Sequence, residues 1–394
     1  SHDGRWLFLR APRVLTIVGI DGHTGVRLPL GGSAQRGVMK LDPSQPAAIL
    51  LRERVLAGTQ ERWRVVRMDV HGKRTLLRED ARWVHDVALD ASGRIVALTR
   101  FEGDHDALYR VRADGTLREV LRLRPMERLS LLAALADGSL LMSGNPGSTS
   151  PGGNFRRVMR LDANERLQTL HEDPRHEADL DEVVIDPRTQ QPMVASYRST
   201  VAATYGIGVA QAAVTVIEKR LPGRDIGVQV GSGPNPRWLV SERASTLRDP
   251  RWHLYNPRTG ELRRILDDPG ITAGTPKETA LARKIAVSYL ASDGLRVHGF
   301  LLLPPGVDVA RAPLIAQVHG VAAGAGLSLM LQADFVLAAE GTRFNLAYVN
   351  IGASCDVGAS WALPRLVGLR RALEIAMLGD MFDAAVAERM GLIN

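Results

Sequence analysis

Few side chains in this 394-residue chain have the type and spacing to do chemistry, and they gather near its end. Gly320-Val321-Ala322-Ala323-Gly324-Ala325-Gly326 runs into Leu327-Ser328-Leu329-Met330. This reads as strand, glycine-rich turn, helix. Small residues let a backbone approach a ligand closely, and amides at a helix start favour a developing negative oxygen. Tight helix packing explains such a turn equally well. Asp356 is either a base or a cap for a helix beginning near Val357. Cys355 is the only cysteine, and no histidine follows His319 to generate a thiolate. A serine nucleophile on a strand-to-helix turn needs G-x-S-x-G. Gly326-Leu327-Ser328-Leu329-Met330 and Gly352-Ala353-Ser354-Cys355-Asp356 both lack the second glycine. Ser328 therefore reads as a small helix residue, and no metal-ligating set is read in the chain.

The elements that must position these residues change character along the chain. Turn signals recur through the first two-thirds: Asp3-Gly4-Arg5, Asp21-Gly22-His23, His71-Gly72-Lys73, Ser92-Gly93-Arg94, Asp114-Gly115-Thr116, Asp137-Gly138-Ser139, Asp162-Ala163-Asn164, Asp186-Pro187-Arg188 and Pro257-Arg258-Thr259-Gly260. Such pairs supply the positive φ of tight hairpins. Between them lie short β-type runs such as Trp63–Met68, Arg94–Leu98 and Ala107–Val111. From Gly72 to Gly138 the turns fall about 22 residues apart. Two such hairpins make a four-stranded unit the size of a propeller blade; a β-sandwich or a single large meander is the alternative, but the turn rhythm over about 260 residues exceeds one sandwich. The fold expected is mainly β, a β-propeller of four-stranded blades, followed by a small α/β segment.

Composition narrows the classes. Hydrophobic residues are 45% and charged residues 24%, ordinary for a globular protein with a large core. The net charge of +7 is scattered, without the like-charge runs of a nucleic-acid tail, so no nucleic-acid partner is expected. The apolar run 321–337 is broken by Gln332 and Asp334, so no membrane span is expected. The start, Ser1-His2-Asp3-Gly4-Arg5, reads as mid-protein and leaves an upstream leader open.

Two resemblances follow. Trp252–Leu262 resembles a last blade of the prolyl oligopeptidase family, and Val287–Gly306, with Ser292-Asp293-Gly294, resembles the entry to that family's α/β-hydrolase domain. Pro313 to His319-Gly320 resembles the strand before its oxyanion turn. With no elbow serine and no late histidine, the resemblance implies no serine peptidase activity. It implies a propeller that holds peptides or acts as a scaffold.

The second resemblance lies in the ordered series Ala333–Glu340, Arg343–Tyr348, Cys355–Trp361, Leu363–Gly368, Ala372–Gly379 and Ala384–Asn394. It resembles the middle of the crotonase (enoyl-CoA hydratase/isomerase) superfamily. That implies an acyl-CoA substrate, coenzyme A as part of it, no bound cofactor, and an enolate formed from the thioester. By position, the Ala325 backbone N–H would be an oxyanion-hole donor, with Gly324, Gly326 and Ala323 shaping the substrate and CoA site. Hydratases carry glutamates where this chain has Ser328 and Tyr348, so two-carboxylate water addition is in doubt. Asp356 falls where isomerase-type members carry a general base.

The organisation expected is a propeller-like domain over 1–280, connecting strands over 281–312, and a partial crotonase-like module over 313–394 with weak or lost activity. Both families accept P-L-I-A-x-V-x-G, which Pro313–Gly320 supplies, so the chain reads as a chimera joined there. The crotonase part would favour the cytoplasm. The sequence fixes neither compartment nor oligomeric state.

Overall fold

The computed structural model describes residues 5–30, 36–45, 47–58, 60–125, 127–147, 155–231, 235–244, 250–266, 283–290, 296–304, 306–308, 311 and 313–394. The calls on the Asp3-Gly4 turn, on Ser292-Asp293-Gly294 and on Pro305 lie outside the described residues. The chain divides into two compact units, Ser1–Leu302 and Leu303–Asn394.

The N-terminal unit is built from antiparallel hairpins. Its first sheet has three strands, Trp6–Ala11, Val14–Gly19 and Thr24–Pro29. The second has four, Arg36–Leu41, Ala48–Ala57, Gln60–Asp69 and Arg74–Asp80. The third comprises Val84–Leu89, Ile95–Phe101, Asp106–Val111 and Leu117–Arg122. The fourth comprises Leu129–Ala134, Leu140–Gly144, Arg157–Leu161 and Leu167–His171. The fifth has three strands, Asp179–Ile185, Pro192–Arg198 and Ala202–Gly206, followed by the helix Ala210–Arg220. The sixth has Asp225–Val230, Trp238–Arg243, Arg251–Asn256 and Glu261–Leu266.

The turn residues act as their chemistry requires. Gly22, Gly72, Gly93, Gly115, Gly138 and Gly260 all take positive φ between paired strands. Where glycine is missing, Glu165 and Gln190 take that conformation. An aspartate opens several of these turns and accepts amides further on. Asp69 Oδ1 accepts from the N–H groups of His71 and Lys73, both at 2.9 Å, and Asp162 Oδ1 from those of Asn164 and Arg166, both at 2.8 Å.

Consecutive sheets share cores. Ile49 and Leu51 of the second sheet pack with Leu15 and Ile17 of the first, while Leu50 packs with Val87 and Leu98 of the third. Ala97 of the third faces Met142 of the fourth, and Leu141 of the fourth faces Tyr197 of the fifth. Val194, the helix residues Val214 and Ile217, and Val240 join the fifth sheet to the sixth. Inner strands are thus buried on both faces, which is why they read as continuous apolar runs. The unit is mainly β, as expected, but two details differ. The first and fifth sheets have three strands, and the unexpected helix follows the fifth. Among the described residues no apolar cluster joins the sixth sheet to the first, so a closed ring is not shown.

The C-terminal unit is α/β. Ile315–Val318 pairs in parallel with Phe335–Ala338. Val321–Ala323 pairs in parallel with Arg343–Asn345, and Phe382–Asp383 joins antiparallel. Helices Ala325–Met330, Ala359–Val367, Leu369–Leu378 and Ala384–Met390 complete it. One core holds it, with Leu327, Phe344, Leu346, Leu363 and Ala387 at its centre and Phe344 stacked on Phe382. Asp383 caps the last helix by accepting from the Val386 N–H at 2.8 Å, and Gly391 ends it at φ 77°. In Leu369–Leu378, Leu369, Leu373 and Met377 are exposed, while Ala372 and Ile375 face the core and Ala376 packs against it. Among the described residues no helix is long and apolar enough to cross a membrane.

Candidate functional site

The candidate residues lie on the C-terminal unit. Val321–Ala323 ends at Gly324, whose φ of 52° and ψ of −124° fall outside the wells open to residues with a Cβ. The Gly324 N–H donates to Asn345 O on the neighbouring strand at 2.9 Å. This clamps the turn before the six-residue helix Ala325–Met330 begins. First-turn N–H groups have no acceptor within their own helix, and Ala325 is the first residue of that turn. Ala323, Ala325 and Gly326 are exposed, and Gly324 is half-buried.

A chain of hydrogen bonds leads from the helix after this turn to Asp356. The Ser328 hydroxyl has one proton to give: it donates to the Tyr348 hydroxyl at 3.0 Å, with Gly324 O as the alternative acceptor at 3.2 Å. The Tyr348 hydroxyl donates to Asp356 Oδ1. Ser328 is fully buried, Tyr348 nearly so, and Asp356 is exposed. Burial, then the bond to Asp356, pushes the Tyr348 phenol above its usual range, so the residue stays protonated and remains a donor at neutral pH. The helix after Asp356 starts at Ala359, and its cap position is Gly358, without a side-chain cap bond. Asp356 therefore does not cap that helix. Its side chain is turned to Tyr348.

Backbone in unusual conformations holds this arrangement. Ala347, just before Tyr348, has φ 55°, and Val357, just after Asp356, has φ 51°. A β-branched residue at positive φ is strained, and strained residues persist where the surroundings over-determine them. Asn345 fixes the first bend by accepting from the Ala347 N–H at 2.6 Å and donating to Gly379 O at 3.0 Å. Gln332 spans Ser328 O and Val357 O, both at 3.4 Å. Cys355 is half-buried, and burial pushes its thiol pKa up, so it is no thiolate. Among the described residues no three metal-ligating side chains cluster.

Sequence reasoning treated Ser328 and Tyr348 as losses, positions where a carboxylate is missing. The structure brings both into one cluster with Asp356. The available signal was that all three fall at positions where the resemblance to the crotonase superfamily implied reacting groups.

The family described as enoyl-CoA hydratase/isomerase matches residues 303–394. A curated relative, the "Probable enoyl-CoA hydratase" of Rhodobacter capsulatus, is 47% identical over 81 residues, 21% of this chain and 32% of the relative. The 1,2-epoxyphenylacetyl-CoA isomerase of Escherichia coli is 43% identical over 81 residues, 21% of this chain and 31% of the relative. A solved enoyl-CoA hydratase/isomerase from Cupriavidus metallidurans is 48% identical, covering 21% of this chain and 31% of its own, with a TM-score of 0.20. The chain spans about a third of the length of these curated relatives. Residues 303–394 form a crotonase-type, enoyl-CoA hydratase/isomerase domain. The family acts on CoA thioesters, with coenzyme A carried by the substrate and no separate cofactor.

Proposed function

We propose that the C-terminal domain performs enolate chemistry on an acyl-CoA, of the isomerase rather than the hydratase type. The observation that carries this is the hydrogen-bond chain in which Ser328, beside the Gly324 turn, donates to Tyr348 and Tyr348 donates to Asp356. On a β,γ-unsaturated acyl-CoA, Asp356 takes a proton from the carbon beside the thioester carbonyl. The C–H electron pair moves into a dienolate, whose oxygen the Ala325 N–H stabilises; as the carbonyl re-forms, the double bond moves to the α,β position and Asp356 returns the proton to the γ-carbon. Gly324 and Gly326 let the backbone close on the carbonyl, and Ala323 flanks the CoA. Tyr348 holds the exposed Asp356 carboxylate in one orientation. With Ser328 and Tyr348 in place of carboxylates, no second base activates water, and turnover is low.

Exchange of α-protons of butyryl-CoA in deuterated water, followed by NMR, tests this, since exchange needs only a base and an oxyanion donor. Asp356→Asn should slow it by about 100-fold or more, and Cys355→Ser should leave it unchanged. Exchange that survives Asp356→Asn overturns the role of Asp356.

For the N-terminal unit we propose a propeller-type scaffold that holds peptides without cleaving them. Support comes from six sheets in chain order, each sharing a core with the next. We read the two units as a fusion joined near Pro313–Gly320, a text that suits both families; genomic sequence across 305–322 tests the join. A fluorophosphonate probe should leave the chain unlabelled. Cysteines engineered in the first and sixth sheets should cross-link in the native state if the ring closes.

A further inference from the structure

Within the N-terminal unit, a cleft of about 670 Å³ opens where the second, third and fourth sheets meet. That size suits a small ligand. Met39, Phe101 and Leu129 give it an apolar wall, and its polar lining is only partly used by the protein itself.

Asp86, on the third sheet, is committed. Its Oδ1 lies 2.6 Å from Lys40 Nζ, and its Oδ2 accepts from the Leu131 N–H at 2.8 Å. Three other groups keep polar atoms to spare. Thr99 is 2% exposed and lines the cleft, yet among the described residues its hydroxyl has no hydrogen-bond partner. Leaving a buried hydroxyl unpaired is costly, so this one has a bond to offer a ligand in the cleft. Among the described residues Arg156 Nε is likewise buried and unpartnered. Arg128 donates to Glu127 O at 3.1 Å, and among the described residues neither Arg128 nor Arg156 forms an ion pair that would occupy the guanidinium. The two precede strand residues Leu129 and Arg157, which both pair with Gly144. Their backbones therefore stand two strand spacings apart, about 10 Å, within reach of one carboxylate. Asp106, whose Oδ1 is 2.8 Å from His85 Nε2, adds an acceptor to the same lining. Burial pushes the His85 pKa down, and with Trp83 Nε1–H donating to His85 Nδ1 the ring's Nε2–H is directed at Asp106 Oδ1, so Asp106 Oδ2 is the oxygen a ligand donor would meet.

We propose that this cleft binds an apolar N-acyl amino acid. Arg128 and Arg156 take its carboxylate, Asp106 and Thr99 meet its amide, and Phe101 and Leu129 pack its side chain. That chemistry is shared by a free N-acyl amino acid and by the C-terminal residue of a peptide. The inference deepens the scaffold reading but needs neither a closed ring nor any chemistry at Asp356.

Calorimetry on the full chain tests it with N-acetyl-leucine, N-acetyl-leucinamide and an acetylated tetrapeptide ending in leucine. N-acetyl-leucine should bind one to one and the amide should not. Arg128→Gln and Arg156→Gln should each weaken binding by about tenfold, with melting curves unchanged. Tighter binding of the tetrapeptide supports the site with a chain end as its natural ligand; equal binding supports the free acid. No binding of either acid at millimolar concentration overturns the proposal, as does equal binding of acid and amide, or the same affinity in both arginine variants. A failed cross-link between the first and sixth sheets would count against the ring alone and leave this result standing.

Discussion

The two units of this chain bury their apolar residues in opposite ways. In the N-terminal unit each strand pairs with its neighbour in sequence, and the core is divided into five slabs between consecutive sheets. In the C-terminal domain the paired strands are separated by helices, and one cluster holds everything. Much apolar surface is left over there. Ile315, Phe335 and Leu337 cover one face of a parallel pair and are more than half exposed, whereas parallel strands are ordinarily covered on both faces. Leu369, Leu373 and Met377 line an exposed helix face. Local pairing lets a unit seal itself piece by piece, whereas crossover pairing concentrates stability in one place.

The largest effect that would break this comparison comes from that single core. Phe344 is fully buried and stacks on Phe382 at 5.7 Å. Phe344→Ala should cost about 3–5 kcal/mol. Hydrogen exchange should show protection lost throughout residues 321–345 and 382–392, while the sheets from Val84 to His171 keep theirs. Equal loss in both units would mean that they unfold as one body.

The exposed face gives a second, smaller effect. Phe335→Ser combined with Leu337→Ser should cut the fluorescence of a bound hydrophobic dye by about half while shifting stability by under about 1 kcal/mol. Unchanged dye binding would place the sticky surface elsewhere, and the exposed helix stripe around Leu373 would be the next to substitute.

The same contrast explains what could be read from the sequence. Aspartate–glycine turns announce themselves locally, so the hairpin rhythm of the first unit was legible. The helix Ala210–Arg220 was not. Its buried residues Ala210, Val214 and Ile217 have helical spacing, but three positions set among strands are a weak signal. In Leu369–Leu378 the side facing the core, Ala372 and Ile375, is set by where the helix docks, which periodicity does not contain. The bond from Tyr348 to Asp356 depends on two left-handed residues, Ala347 and Val357, whose types give no hint of that conformation. The three- and four-stranded sheets likewise differ by tertiary choices, since the turn signals flank both kinds.

Acid should act on the N-terminal unit through its turn aspartates. The Ser92 hydroxyl, then the amide and guanidinium of Arg94, hold the Asp90 carboxyl down at about 2. The Thr116 hydroxyl lowers Asp114, and the Ser139 amide lowers Asp137. A carboxyl with a depressed folded pKa adds stability above its unfolded value of about 3.9 and loses it as pH falls toward the folded value. The melting temperature of the sheets should hold steady from pH 7 to about 5 and fall between about 4 and 2. Asp90→Asn combined with Asp114→Asn should flatten that fall. An identical acid profile in this variant would show that the turns contribute nothing to it.

The smallest effect concerns the strained backbone beside Asp356. Val357 has φ 51°, a conformation costing a residue with a Cβ about 1–2 kcal/mol and glycine almost nothing. Glycine in exchange raises the entropy of the unfolded chain by roughly 0.5–1 kcal/mol. Val357→Gly should therefore stabilise the C-terminal domain by under about 1 kcal/mol, read from its chemical denaturation midpoint. If the strain serves to aim Asp356 at Tyr348, the same variant should slow α-proton exchange even as the domain becomes more stable. A gain in stability with unchanged exchange would show that the hydrogen bond alone orients the carboxylate. A loss of stability would show that the half-buried Val357 side chain, and not its backbone, decides the balance.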